Sequence, residues 1–328
     1  MRLLLFAFVL SFALAERNLE AAPLIPVDVE LVLAVDVSGS VDWQEAGLQR
    51  DGYVQVIKSP EFVTAVKSGI LGRIAITYIE WAGEGYQTPV IDWRIIEDQE
   101  TANEFAKALD KAPIDTGPWT SISDIIKHSV PRFFSNEFQG TRRIIDISGD
   151  GPNNSGSLAP EARDAAIKRG ITINGLPIIN DRLQPSGRRQ IANLDKYYAG
   201  CVIGGPGAFL VVAHSFSDFA RAIRRKLIFE IAGRIPPTSL GKWRARNQLP
   251  FYLHRISEIY PPGCDIGERR LQQRRSFGDD EFWECKYNED LLAKLHKRLW
   301  EIASKIALVF ALWCYYHKNV EWLFSSYD

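Results

Sequence analysis

Short apolar runs alternate with longer amphipathic stretches along most of this chain, the rhythm of an α/β fold. Residues 31–35 form an unbroken apolar run that reads as a strand buried on both faces and stops at Asp36. Within 41–58, Leu48, Tyr53, Val56 and Ile57 recur at helical spacing, and Asp42 and Glu45 sit where a helix start favours negative charge. A second helical stretch covers 61–68 and stops at Gly69. Residues 73–81 and 90–96 are rich in β-branched and aromatic side chains, with Gly83, Gly85 and Pro89 between them. That pattern predicts an antiparallel hairpin at a sheet edge, with Trp81 and Trp93 as packing residues.

The alternation continues. A helix over 101–109 turns Phe105 and Leu109 inward, a loop over 113–119 follows, and a helix starting at Thr120 carries Ile122, Ile125, Ile126 and Val130. A strand over 141–148 is apolar except for the anomalous Asp146. Then come a helix over 159–169, a strand over 171–178, a helix over 187–198, a short strand over 209–213 and a closing amphipathic helix over 215–231 with Phe219, Ile223, Leu227 and Ile228 on one side. Together these predict a doubly wound, mainly parallel sheet with helices on both faces and one antiparallel edge strand. The glycine-rich stretch 201–207 lacks the Lys-Ser/Thr ending of a phosphate-cradling loop.

At 233–240, GRIPPTSL breaks the pattern, and 241–290 has no clear period; ERRLQQRR reads as a solvated helix face. Residues 291–316 are helical in pattern, and 306–316 are apolar almost throughout. That run is shorter than the roughly 20 residues a membrane span needs, and Lys305 interrupts its extension. Three readings stand, in order: a helix docked on the main domain, an interfacial helix anchored by Trp300, Trp313, Tyr315 and Tyr316, and a marginal span. Membrane association through 300–316 is therefore not favoured. The chain divides into a signal peptide (1–15), a linker (16–26), an α/β domain (27–232) and a mainly helical C-terminal extension (233–328).

Composition narrows the function classes. A 328-residue chain holds one large domain with more besides, and its net charge of −1 excludes a general attraction to nucleic acid or anionic membrane. Arg2, the apolar run 3–14 and the A-x-A sequence Ala13-Leu14-Ala15 read as a secretory signal cleaved after Ala15. In an oxidising compartment Cys264 and Cys285 could pair, whereas Cys201 reads as a buried small hydrophobe. No cysteine or histidine spacing suggests zinc.

The candidate chemistry begins where the first strand ends. In DVSGS, Asp36, Ser38 and Ser40 occupy alternate positions, so one carboxylate and two hydroxyls converge beyond the strand's carboxyl end. Hard oxygens aimed at one point suit a hard cation such as Mg²⁺. The plainer reading is a turn with a serine cap on the next helix. Two further segments repeat the pattern: GPWTSIS with Thr120, which could equally cap its own helix, and IIDISGDGPNN, whose Asp150 lies in a loop after a strand.

This combination of DVSGS, a distant Thr and a distant Asp-Gly after a strand resembles the metal-ion-dependent adhesion site (MIDAS) of von Willebrand factor type A (VWA) domains, over residues 27–232. GRIAITYIEWAG, RRIIDISGDGPNN, INGLPI and CVIGGPGAF resemble a bacterial exported group of such domains, the DUF1194-like group of unassigned function. The resemblance implies a VWA/Rossmann-like fold. It implies Ser38 and Ser40 as direct ligands, Thr120 as direct or water-linked, and Asp36 and Asp150 as acidic members of the site, with Mg²⁺, or Mn²⁺ or Ca²⁺, as the ion. It further implies an exported, periplasmic or extracellular module whose ion ligates an Asp or Glu carboxylate of a partner protein. A metal-dependent hydrolase and a metal-free scaffold are the alternatives. None of the five histidines falls in a site loop, and Glu80 and Asp92 could serve only if the hairpin folds toward the ion, so no nucleophile or general base is identified and a non-enzymatic module is expected.

Overall fold

The computed structural model describes residues 23–180, 189–233 and 263–276. The expected signal peptide and the helix over 291–316 lie outside the described residues. At its centre is β1 (Ile25–Asp36), whose last residues are buried without a break. It takes in the final two residues of the expected linker. Parallel partners flank it, β2 (Ile74–Trp81) on one side and β4 (Phe138–Gly149) on the other. Beyond them lie β3 (Gln87–Ile96), antiparallel to β2, and β5 (Ile171–Pro177), parallel to β4, giving the order β3-β2-β1-β4-β5. The edge strand β3 alternates buried and exposed positions, as expected of a strand with one wet face.

Side-chain alternation along β1 feeds two cores. Leu31, Leu33 and Val35 pack under α1 (Trp43–Ile57), α2 (Pro60–Lys67), α3 (Gln99–Lys111) and α7 (Phe219–Ile231), among Tyr53, Phe62, Phe105, Phe219 and Leu227. Val32 and Ala34 face the other way, toward α4 (Ile122–Arg132), α5 (Ala159–Lys168) and the single turn α6 (Leu194–Tyr197). The last described helix is α8 (Ile266–Ser276). Buried residues on both faces explain why β1 reads as a continuous apolar run.

Several expectations change. The helix expected over 187–198 is reduced to α6 and a π-helical turn, Tyr198–Val202, because Asn193 adopts a left-handed conformation (φ 59°) just before α6. The expected strand at 209–213 runs alongside β5 and forms only isolated bridges, Gly175 with Leu210 and Ile178 with Ala213. The ladder is interrupted where Pro177 has no N–H to donate, although its carbonyl still accepts from Ala213 at 3.1 Å. Ser121, not Thr120, caps α4, its hydroxyl accepting from Asp124 N at 3.3 Å. Cys201 is joined to Cys264 by a disulfide, so neither the free Cys201 nor the Cys264–Cys285 pairing holds. The anomalous Asp146 is buried and ion-paired with the equally buried Lys226 of α7.

Candidate metal centre

β1 is the point where the chain's connections diverge to opposite sides of the sheet, the position at which open α/β sheets place their sites, at the strands' carboxyl ends. Val35 pairs with Ser148, so Asp36 at the end of β1 arrives beside Gly149 at the end of β4, and Asp150 follows at once. The turn after Asp36 is shaped locally. Asp36 Oδ1 accepts from Ser38 N at 2.8 Å, Val41 N donates to Ser38 O at 2.8 Å, and Asp42 opens α1 through a capping box with Glu45. Gly117 N donates to Val37 O at 3.1 Å and brings in the loop that carries Thr120.

The five side chains singled out in the sequence meet. Ser38 Oγ and Ser40 Oγ lie 3.1 Å apart, Ser40 Oγ donates to Asp150 Oδ1 at 2.5 Å, and Thr120 Oγ1 donates to Ser38 Oγ at 3.4 Å. Asp36, Ser38, Thr120 and Asp150 are all buried. Asp36 Oδ2 is enclosed with no donor. Burial pushes the Asp36 carboxyl up to about 6 against the hydrogen bonds from Ser38. Burial, followed by the neighbouring Asp36 charge, pushes Asp150 up to about 8.

Two buried carboxylates held together, one with an orphan oxygen, and three hydroxyls facing them form an all-oxygen donor set that lacks a positive charge. Such a set fits a hard divalent cation, which would satisfy Asp36 Oδ2 and offset the repulsion between the carboxylates. Among the described residues, no three His, Cys, Asp or Glu side chains gather as metal ligands. The donor set here instead depends on hydroxyls.

Several supporting residues carried no sequence signal of their own. Gln49 Nε2 donates to Asp36 O at 3.2 Å, and Gln190 Nε2 donates to Asp150 O and to Ile178 O, both at 2.6 Å. Asn154 Oδ1 accepts from Thr120 N at 2.9 Å while its own N–H donates to Thr120 O at 2.8 Å, which ties the Asp150 loop to the Thr120 loop. The PNN that ends the quoted motif contained this residue without revealing its role. A Cβ on Gly149 would stand 2.7 Å from both Asp36 Oδ2 and the Tyr198 hydroxyl, so any larger residue would force those side chains to move. Glu80 is paired with Arg50, and Asp92 with Arg132 at 2.5 Å. Of the histidines, His128 lies on α4, where burial and Arg132 lower its pKa.

A mainly parallel sheet with one antiparallel edge strand and helices on both faces is the VWA/Rossmann-like fold expected from the sequence, and its carboxyl edge carries the Asp-x-Ser-x-Ser turn beside the Thr120 and Asp150 loops. The chain belongs to the family described as "Protein of unknown function (DUF1194)", whose profile matches residues 26–235. No curated protein matches it. Among solved structures, proximal thread matrix protein 1 from the mussel byssus is similar at TM-score 0.47 and 16% identity, over 64% of this chain and 50% of that one. The same mussel protein with a zinc-occupied MIDAS motif gives 0.45 and 17%, over 64% and 49%. The von Willebrand factor type A structure from Catenulispora acidiphila gives 0.41 and 14%, over 63% and 43%. The present chain thus spans about half the length of the mussel protein. Among the described residues, no helix is long and apolar enough to cross a membrane.

Proposed function

We propose that this protein is an exported, metal-dependent protein-binding module. Ser38, Ser40 and Thr120 hydroxyls and the Asp36 and Asp150 carboxylates hold a divalent cation, with Mg²⁺ as first choice and Mn²⁺ or Ca²⁺ as substitutes. The observation that carries the reading is the enclosed Asp36 Oδ2, without a donor, beside a second buried carboxylate that a hydroxyl already engages. When bound, the cation supplies a Lewis-acidic position for an anionic oxygen, and an Asp or Glu side chain of a partner is the protein group that fits. With at most two carboxylates balancing the ion's double charge and otherwise neutral hydroxyls, the site carries no excess negative charge to repel that visitor.

The chain's own residues do the positioning. Ser38 N and Oγ orient Asp36, Ser40 orients Asp150, and Asn154 sets the height of Thr120 against them. Export to the periplasm or beyond is supported by the signal-like amino terminus and by the Cys201–Cys264 disulfide, which suits an oxidising compartment. The test is affinity purification from envelope extract in Mg²⁺ and in EDTA, repeated with Asp36→Ala. Partners retained only by the wild type in Mg²⁺ are expected; an identical set in every arm would contradict the proposal.

A further inference from the structure

The disulfide joins the turn after α6 to a segment 63 residues further on, and that segment meets the site loop. Asn153, fully buried, is where they meet. Its N–H donates to the Tyr197 hydroxyl at 3.1 Å, its Oδ1 accepts from Ser123 N at 2.9 Å, and its Nδ2 donates to Glu268 Oε1 at 2.7 Å. The same Nδ2 also reaches Ser155 O and Ser157 O, at 3.1 and 3.0 Å. Gly267 packs so closely on this turn that a Cβ there would fall 1.8 Å from Asn153 O. Tyr197 and Cys201 lie within one short stretch, and the Cys201–Cys264 bridge is buried, so the covalent link holds residues 264–268 against the same surface that supports Asn153.

We infer that residues 264–268, clamped by the disulfide, are a positioning strap for the metal site: Glu268 and Gly267 fix Asn153, and Asn153 fixes the loop that presents Asp150 and is tied to Thr120. The inference rests on the proposed cation site for its consequence, though not for its geometry. Anchors behind a ligand commonly set metal affinity by about tenfold or more when lost. Glu268 acts on the proposed ligands indirectly, through its hydrogen bond to Asn153.

The test uses the full chain in four forms: wild type, Glu268→Ala, Glu268→Gln, and Glu30→Gln as a control. Glu30 lies six residues before Asp36 on β1 and is bound by Gly140 N at 2.6 Å and Asn136 Nδ2 at 2.9 Å, far along the strand from the site. Mn²⁺ titration is paired with amide hydrogen exchange at Asn153 and Asn154 in EDTA. Glu268→Ala is expected to weaken Mn²⁺ about tenfold and to speed exchange at both amides. Glu268→Gln keeps an acceptor and is expected to restore both, while Glu30→Gln lowers the unfolding midpoint and moves neither. A wild type that binds no Mn²⁺, with exchange still accelerated by Glu268→Ala, would refute the proposed cation and support the strap. Unchanged exchange in Glu268→Ala would overturn the strap whatever the metal does. A loss of affinity in Glu30→Gln equal to that in Glu268→Ala would also overturn it, by reducing the effect to general destabilisation.

Discussion

Gly149 shows what the site demands of a single residue. Its missing side chain makes room for Asp36 Oδ2 and the Tyr198 hydroxyl. Gly149→Ala is expected to displace the Asp36 carboxylate and weaken Mn²⁺ binding at least tenfold, as outer-sphere changes commonly do, read by calorimetric titration. Asp36, Ser38, Ser40, Thr120 and Asp150 were legible in the sequence as oxygen-bearing side chains at the ends of apolar elements, and the fold brings them together. Sequence reasoning passed over Gly149, Gln49 and Gln190, whose roles come from neighbours that only the folded sheet supplies. Asp146 is the intermediate case: its oddity in an apolar strand was visible, whereas its partner Lys226, 80 residues away, was not. There Glu230 and Asp146 share one buried ammonium. Burial and the Asp146 charge hold the Glu230 carboxyl up at about 8, against an ordinary value of 4.5. The fold therefore keeps a proton that the unfolded chain has lost, and this contribution to stability declines as pH rises across that window. The urea midpoint of the wild type is expected to fall between about pH 5 and pH 8, and Glu230→Gln to flatten the decline. A Glu230→Gln profile as steep as that of the wild type would contradict this assignment.

Among elements, the central strands were legible as short unbroken apolar runs because both their faces are buried, and the long helices as a hydrophobic period of about 3.6. The misses have local causes: a left-handed Asn193, a Pro177 without a donor, and a cap placed on Ser121 because Thr120 points into the site. The disulfide was misassigned because spacing alone cannot show that Cys201 and Cys264 approach across the fold. Arg50 of α1 joins elements distant in sequence. It pairs with Glu80 of β2 and donates to Leu109 O and Ala112 O, at 3.0 and 2.9 Å, where α3 ends. Arg50→Ala removes one member of a buried pair and strands Glu80, and is expected to cost about 3–5 kcal/mol in urea unfolding. Truncation in the core should be comparable: Leu33→Ala, in the fully buried middle of β1, is expected to cost about 2–5 kcal/mol. A loss below about 1 kcal/mol in either variant would show that the contact is replaced on relaxation.

At the scale of the whole molecule, a nearly neutral chain favours recognition by a local site over attraction through a broad charged surface. The described segment that follows α7 in sequence, residues 263–268, reaches the site loop through Glu268. Its irregular pattern had shown no reason to place it there. A cation that binds only the folded protein must also stabilise it, by about 2.7 kcal/mol at a hundredfold excess over its dissociation constant. The most direct test is calorimetric titration of Mg²⁺, and of Mn²⁺, into the purified wild-type protein and Asp36→Ala. A single site in the wild type that is abolished in the variant is the predicted result. No binding to the wild type, or equal binding to both proteins, would contradict a cation held by Asp36, Ser38, Ser40, Thr120 and Asp150.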